Sequence, residues 1–166
     1  MASIKDVYGL SKPFLQAMDV FKDVFFYSQQ IVSEELTHEF SHLSQEQLAV
    51  LILIDLSGPL TSTEIATFQG THKSAVSNRL KKLQMKQLIE FQEDQQDNRV
   101  KYVCLSEAGK QKMNAYNDEI LAYFEGLFSD LDVNEINQFN LLLSKVRDRL
   151  KQHSPLIRVN ETKHRE

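Results

Sequence analysis

The chain has 166 residues, 42% of them apolar and 25% charged, with a net charge of −4. That length supports one domain with a real core and leaves little room for a second. The absence of Trp, with only 3 Pro and 5 Gly, disfavours a turn-rich sandwich of short strands. Cys104 is the only cysteine, which excludes an intrachain disulfide and a multi-cysteine metal site.

The opening MASIKDVYGLSKPF carries acids and no long apolar run, so it does not read as a signal peptide. No uninterrupted apolar stretch reaches bilayer length; the expectation is a cytoplasmic protein with no membrane partner. Phe14, Met18, Phe21, Phe25 and Val32 recur at steps of three, four and seven, predicting an amphipathic helix from 14 to about 40. Ser44 and Gln47 in SQEQ form a capping-box pattern that opens a short apolar helix over LAVLILIDL. Gly58-Pro59 stops it.

Thr61 and Glu64 in TSTE repeat the capping box and begin a helix of about two turns ending near Gly70. Thr71 is the expected N-cap of the next helix, His72 to about Lys86. There Val76, Leu80 and Leu83 make an inward stripe, and Lys73, Ser74, Ser77, Asn78 and Lys81 lie on other faces. A short helix, a tight turn and a second helix with a polar, basic outer face constitute a helix-turn-helix. From Gly70 to Ile89 there are five cations and no acid, so against a total of −4 the remainder of the chain carries −9. One basic segment on an acidic body is a localised footprint for a polyanion.

The period then changes from helical to alternating. Leu88–Glu93 and Arg99–Leu105 read as strands joined by the polar loop DQQDN, a hairpin wing beside the recognition helix. Ser106 is the next N-cap, followed by Met113, Tyr116, Ile120, Tyr123 and Leu127 at helical spacing. Asp132 and Glu135 in DVNE cap a last helix with Ile136, Phe139, Leu143, Val146 and Leu150 in a heptad-like pattern. The fold class is therefore mainly α with a small β-hairpin wing. Residues 44–105 are the winged helix unit, 10–43 and 106–152 supply dimerisation helices, and 153–166 form a flexible tail. The apolar stripes of the flanking helices exceed what a small winged helix covers, which points to a homodimer; completing one monomer's core is the competing account.

The segment TSTEIATFQGTHKSAVSNRLKKLQMKQLIEFQEDQQDNRVKYVCLSEAGK resembles the MarR family of transcription regulators. The likeness is carried by KSAVSNRLKKL, by the strand start LIEF, and by a D-x-x-D-x-R wing followed by a strand and S-E-x-G. It implies a repressor that binds a pseudo-palindromic operator in double-stranded DNA. By position, Lys73, Ser74, Ser77 and Asn78 face base edges and phosphates, with Thr61, Thr63, His72 and Lys81 completing the DNA-facing set. Arg99 becomes the wing arginine for the minor groove, with Asp97 orienting its guanidinium. The sequence departs from the pattern at Asn78, where many relatives carry arginine, and at Lys81, where many carry aspartate. Gln87 replaces a glycine, and Gln95, Gln96 and Asn98 stand where wing tips are often basic.

The resemblance also implies a small aromatic or lipophilic effector between the dimerisation helices and the DNA-binding unit. Phe14, Phe21, Phe25, Tyr27, Tyr116 and Tyr123 offer aromatic surface there, with ordinary core packing as the alternative. His38 and His42, four apart beside Glu34 and Glu35, have a spacing that can present two metal ligands, but nothing elsewhere completes a set; no metal or cofactor is expected. Cys104 alternates within a strand and reads as packed rather than redox-active. No nucleophile elbow, Walker sequence or dinucleotide-binding glycine motif is present, so no enzymatic activity is expected. A winged-helix protein-interaction module without sequence-specific DNA binding is the alternative function.

Overall fold

The computed structural model describes residues 11–34, 40–94, 96–97 and 99–153, in two compact units, residues 1–41 and 42–166. The first unit contains α1, Lys12–Glu34. The Ser11 hydroxyl accepts from the Phe14 amide at 3.4 Å, and Pro13 sits in the first turn, where no intrahelical acceptor awaits its nitrogen. The sequence pattern predicts a helix from 14 to about 40; it is described as far as Glu34, and the next five residues of that expectation lie outside the described set. Phe14, Phe21, Phe25, Phe26 and Tyr27 are all exposed in the single chain, and Phe21 and Phe25 stack at 6.5 Å between centroids.

The second unit begins with α2, Gln45–Ser57, whose capping box is formed as expected: the Ser44 hydroxyl accepts from the Gln47 amide, and the Gln47 side chain accepts from the Ser44 amide. Leu48, Val50, Leu51, Leu53 and Ile54 are buried, so α2 is the central strut rather than a one-sided surface helix. It stops at Gly58, whose φ of 76° and ψ of −161° define a conformation that belongs to glycine. After it come β1 (Leu60–Thr61), α3 (Ser62–Phe68), α4 (Lys73–Met85), β2 (Ile89–Glu93), β3 (Lys101–Leu105), α5 (Glu107–Leu127) and α6 (Val133–His153).

The sequence indicates a two-stranded hairpin; the sheet has three antiparallel strands in the order β1-β3-β2. Leu60 pairs with Val103 on one side of β3, and Ile89 with Leu105 and Phe91 with Val103 on the other. A two-residue strand is too short to display a period, which is why β1 escapes a pattern reading. Being central, β3 also departs from alternation: Val103, Cys104 and Leu105 are all buried, because α2, α3 and α5 all contact the strand. On the edge strand β2 only Ile89 is buried.

Ser106 caps α5, accepting from the Gly109 amide at 3.0 Å, while its own amide donates to the Leu88 carbonyl at 3.1 Å. The first half of α5 docks through Met113 and Tyr116, and Asn117 Nδ2 donates to Asp55 Oδ2 of α2 at 3.2 Å. The capping box opening α6 is formed, with Asp132 Oδ1 accepting from the Glu135 amide and Glu135 Oε2 from the Asp132 amide, both at 2.9 Å. Phe128 packs against Phe139 across the α5–α6 turn at 5.2 Å. Beyond that contact Ile136, Leu143, Val146 and Leu150 remain exposed.

Gly109 is the glycine of the S-E-x-G motif, and its place explains it. A Cβ added there would run into the Leu88 carbonyl, which is backbone and already hydrogen-bonded. Gly109→Ala is expected to destabilise the fold by about 2 kcal/mol through overpacking, despite the gain in helix propensity. A urea unfolding curve checks this; an unchanged or raised midpoint would show that α5 can shift without cost.

Candidate nucleic-acid interface

The helix-turn-helix is built from α3 and α4. Thr61 caps α3: its hydroxyl accepts from the Glu64 amide at 3.2 Å and its amide donates to Glu64 Oε2 at 2.6 Å. At the other end the Thr71 amide reaches back to the Ala66 carbonyl (3.0 Å) and the Gly70 amide to the Thr67 carbonyl (3.2 Å). With Gly70 at φ 58°, this is a Schellman closure, and glycine supplies the left-handed residue it needs. The expected Thr71 N-cap is displaced by one residue, because the carbonyl that accepts the first bonds of α4, from the Ala75 and Val76 amides, is that of His72. His72 takes that position, in extended geometry and without a side-chain cap bond. No acid lies in the first turn of α4, so the positive end of its dipole is left uncompensated.

Helix α4 divides cleanly. Val76, Leu80 and Leu83 are buried, as the stripe predicts. His72, Lys73, Ser74, Ser77, Asn78 and Lys81 are exposed together, as is Thr63 on α3. Thr61 is half-buried and engaged in its cap. Two of the five cations turn away from this face. Arg79 is half-buried and donates through Nη1 to Gln69 Oε1 at 2.8 Å, and Lys86 Nζ reaches the His42 carbonyl at 3.4 Å. Gln69, which no motif marks, in turn donates through Nε2 to the Glu46 carbonyl at 3.0 Å.

A second Schellman closure ends α4, with the Leu88 amide on the Leu83 carbonyl (3.1 Å) and the Gln87 amide on the Gln84 carbonyl (2.8 Å). Gln87 holds φ 57°; a glycine at this point would avoid a strain of about 1 kcal/mol. The wing follows. Asp94 Oδ1 accepts from the amides of Gln96 (2.8 Å) and Asp97 (3.0 Å), and the Asp94 amide meets the Val100 carbonyl at 3.0 Å. Asp97 Oδ1 accepts from the Arg99 backbone amide at 2.9 Å. Asp97 therefore fixes the backbone that carries Arg99. No ion pair joins it to the guanidinium among the described residues. Arg99 is exposed. Lys101 pairs with Glu93 at 3.2 Å, both more than half exposed, a contact of small energetic weight. Gln95 and Asn98 lie outside the described residues.

Of the other residues singled out by sequence, His38 lies outside the described set, and among the described residues no group of three His, Cys, Asp or Glu could hold a metal ion. Tyr116 is buried in the core, and its hydroxyl is pushed up in pKa by that burial. Tyr123 packs edge-on against Phe124 at 6.0 Å. Cys104 is buried opposite Glu90 in the sheet.

The sequence model of the MarR family matches residues 43–101, from just before α2 to the start of β3. The Bacillus subtilis (strain 168) protein YdgG, an uncharacterized HTH-type transcriptional regulator, is 30% identical over 139 residues, covering 80% of this chain and 91% of YdgG. The structure of a point mutant of MepR from a multidrug-resistant S. aureus clinical isolate is similar at TM-score 0.67 and 24% identity, covering 78% of this chain and 96% of that one. A different S. aureus MepR mutant, bound to an oligodeoxyribonucleotide, matches at TM-score 0.55 and 24% identity, covering 78% of this chain and 97% of that one. Together they define a winged helix-turn-helix regulator rather than an enzyme. The chain belongs to the MarR family of transcriptional regulators.

The Cys104 thiol is pushed up in pKa, first by burial and then by the Glu90 carboxylate. The native state thus binds this proton more tightly than the unfolded chain. Its contribution to stability is complete at neutral pH and declines as pH rises above the free-thiol range. Alkylation of Cys104 by iodoacetamide at pH 7.5 is expected to be at least about tenfold slower in the native protein than in denaturant; equal rates would show an accessible, ionised thiol.

Proposed function

We propose that the protein is a homodimeric repressor in which each protomer lays α4 in the major groove of a pseudo-palindromic operator and its wing over the adjacent minor groove. One observation carries this reading: α4 keeps Val76, Leu80 and Leu83 inside and turns Lys73, Ser74, Ser77, Asn78 and Lys81 outward as one face. Asn78 matches the donor–acceptor pair of adenine, and Ser74 and Ser77 suit either bases or phosphates. His72 and Thr63 flank that face, and the hydroxyl proton of Thr61 can meet a phosphate oxygen. Arg99, on a loop stiffened by Asp94 and Asp97, suits a narrow and strongly negative minor groove. Support comes also from the MepR mutant of the same fold that is bound to an oligodeoxyribonucleotide.

In this reading residues 44–105 bind DNA, and 10–43 with 106–152 dimerise. The exposed apolar residues of α1 and α6 are more than a monomer leaves in water. Two-fold symmetry sets the half-sites about one helical turn, roughly 34 Å, apart. A small aromatic or lipophilic effector among the rings of α1 would act by favouring a dimer geometry that no longer matches successive grooves. The protein works in the cytoplasm, where its operator is; among the described residues no helix is long and apolar enough to cross a membrane.

The test is selection of duplex fragments from the organism's own genome, above all from upstream of its own gene, at two salt concentrations. Lys73, Lys81, Lys82 and Arg99 stand without ion pairs among the described residues. If each meets one phosphate in both protomers, a log–log salt slope near about −7 is expected. An inverted repeat should be selected, and Arg99→Ala should lose it. Failure to select any duplex, even at low salt, would move the reading to a protein-interaction module. The wing favours that second reading, since Glu90, Glu93, Asp94 and Asp97 outnumber Arg99 and Lys101. Sedimentation at micromolar concentration should give twice 19.2 kDa; a monomeric mass would overturn the dimer.

A further inference from the structure

Helix α4 is held against its unit by two kinds of contact. Val76, Leu80 and Leu83 fix its depth and which face turns inward, but apolar contacts are non-directional and hold fine tilt and slide less tightly. The polar ties are directional. Arg79 Nη1 donates to Gln69 Oε1 at 2.8 Å, and Gln69 Nε2 donates onward to the Glu46 carbonyl in the first turn of α2 at 3.0 Å. The relay joins the middle of α4, the residue that closes α3 and the start of α2. Lys86 Nζ reaches the same stretch of chain, at the His42 carbonyl.

From these contacts we infer that Arg79 is a positioning residue which, through Gln69, sets the angle of α4 for base reading and does not bind a DNA phosphate. This inference rests on the proposed insertion of α4 into the major groove. Three features support it. Arg79 borders the buried stripe and is half-buried, unlike its exposed neighbours Asn78 and Lys81. Its fork is pre-organised, so little side-chain freedom is lost on engaging the amide oxygen. Its charge also faces the Glu46 carboxyl, which is held below the usual range first by the Ser44 hydroxyl, then by its own backbone amide, with Arg79 adding to both. The relay lines an open depression of about 390 Å³ with Gln45, Ala49 and Phe68, so it is solvent-reachable and depends on its geometry rather than on deep burial.

Arg79→Met keeps the apolar stem and removes the guanidinium, and Gln69→Leu breaks the relay without changing charge. Each is measured on the selected duplex and on a scrambled duplex over a salt series, with hydrogen exchange of the α4 amides in free protein. Both variants are expected to lose about tenfold on the selected duplex, to keep wild-type affinity for the scrambled one, to retain the wild-type salt slope, and to exchange faster in α4. The double variant should be no worse than either single one, and Arg79→Lys, which can still donate to Gln69, should recover part of the loss. A salt slope reduced by about 2 per dimer in Arg79→Met, with Gln69→Leu unaffected, would make Arg79 a phosphate contact and overturn the inference. Equal losses on both duplexes would reduce the relay to general stability and overturn it too. If the wild-type protein discriminates between no duplexes, the groove reading itself fails and this one with it.

Discussion

The rest of the DNA-binding unit depends on the junction at Gln87 and Leu88. Here α4 ends in a Schellman closure, β2 begins one residue later, and the chain returns after β3 to start α5 on the same carbonyl groups. The Ser106 amide donates to the Leu88 carbonyl, the Ser106 hydroxyl donates to that of Gln87, and Gly109 leaves room for Leu88 by having no side chain. The recognition helix and the wing are therefore referred to one fixed point, and the angle between them follows from it. Gln87 accepts a left-handed conformation to make this possible. The strain persists because Leu88 is buried, as is Leu83, and the surrounding hydrogen bonds over-determine the backbone.

With that frame fixed, the electrostatics become specific. A net charge of −4 and an acidic wing look unfavourable for a polyanion, yet most of the wing acids have local work. Asp94 and Asp97 bind backbone amides, and Glu93 meets Lys101. Arg79 and Lys86 are likewise engaged with protein. These bonds fix where each charge sits without cancelling it, so the field offered to DNA follows from the placement of the charges, and the sum over the chain is a poor guide to it.

What can be read from the sequence follows the range of the interactions concerned. The capping boxes at Ser44, Thr61 and Asp132 and the cap at Ser106 close within three residues, and all appear where the sequence places them. The inward stripe of α4 is equally legible, because one amphipathic helix displays its period by itself. The N-cap of α4 falls one residue beyond the expected Thr71, because Thr71 still belongs to the closure of the preceding helix and the His72 carbonyl is the first to accept from α4. β1 has no period to read, and the double-sided burial of β3 needs α2 and α3, which lie far from it in sequence, as well as the α5 that follows it. The Gln69 relay spans 23 residues to Glu46 and 10 to Arg79, and a lone glutamine at a helix end announces neither contact. Family likeness suggests roles for Asn78 and Arg99, but not which of the neighbouring cations are already engaged.

The helices outside this unit pose a different physical demand. In α6, Ile136, Phe139, Leu143, Val146 and Leu150 recur on one face and all remain exposed in the single chain. A helix of 21 residues gains little from propensity alone and takes most of its stability from burying its apolar stripe. Its capping box and the Phe128–Phe139 contact secure only the first turns, so the later turns need a surface that one protomer's described residues do not provide. In the homodimer proposed above a second copy would cover the α6 stripe, and folding of that helix would then be linked by mass action to protomer concentration. In that proposed dimer, operator binding would inherit the same dependence, since the spacing of two copies of α4 would exist only once the protomers had paired.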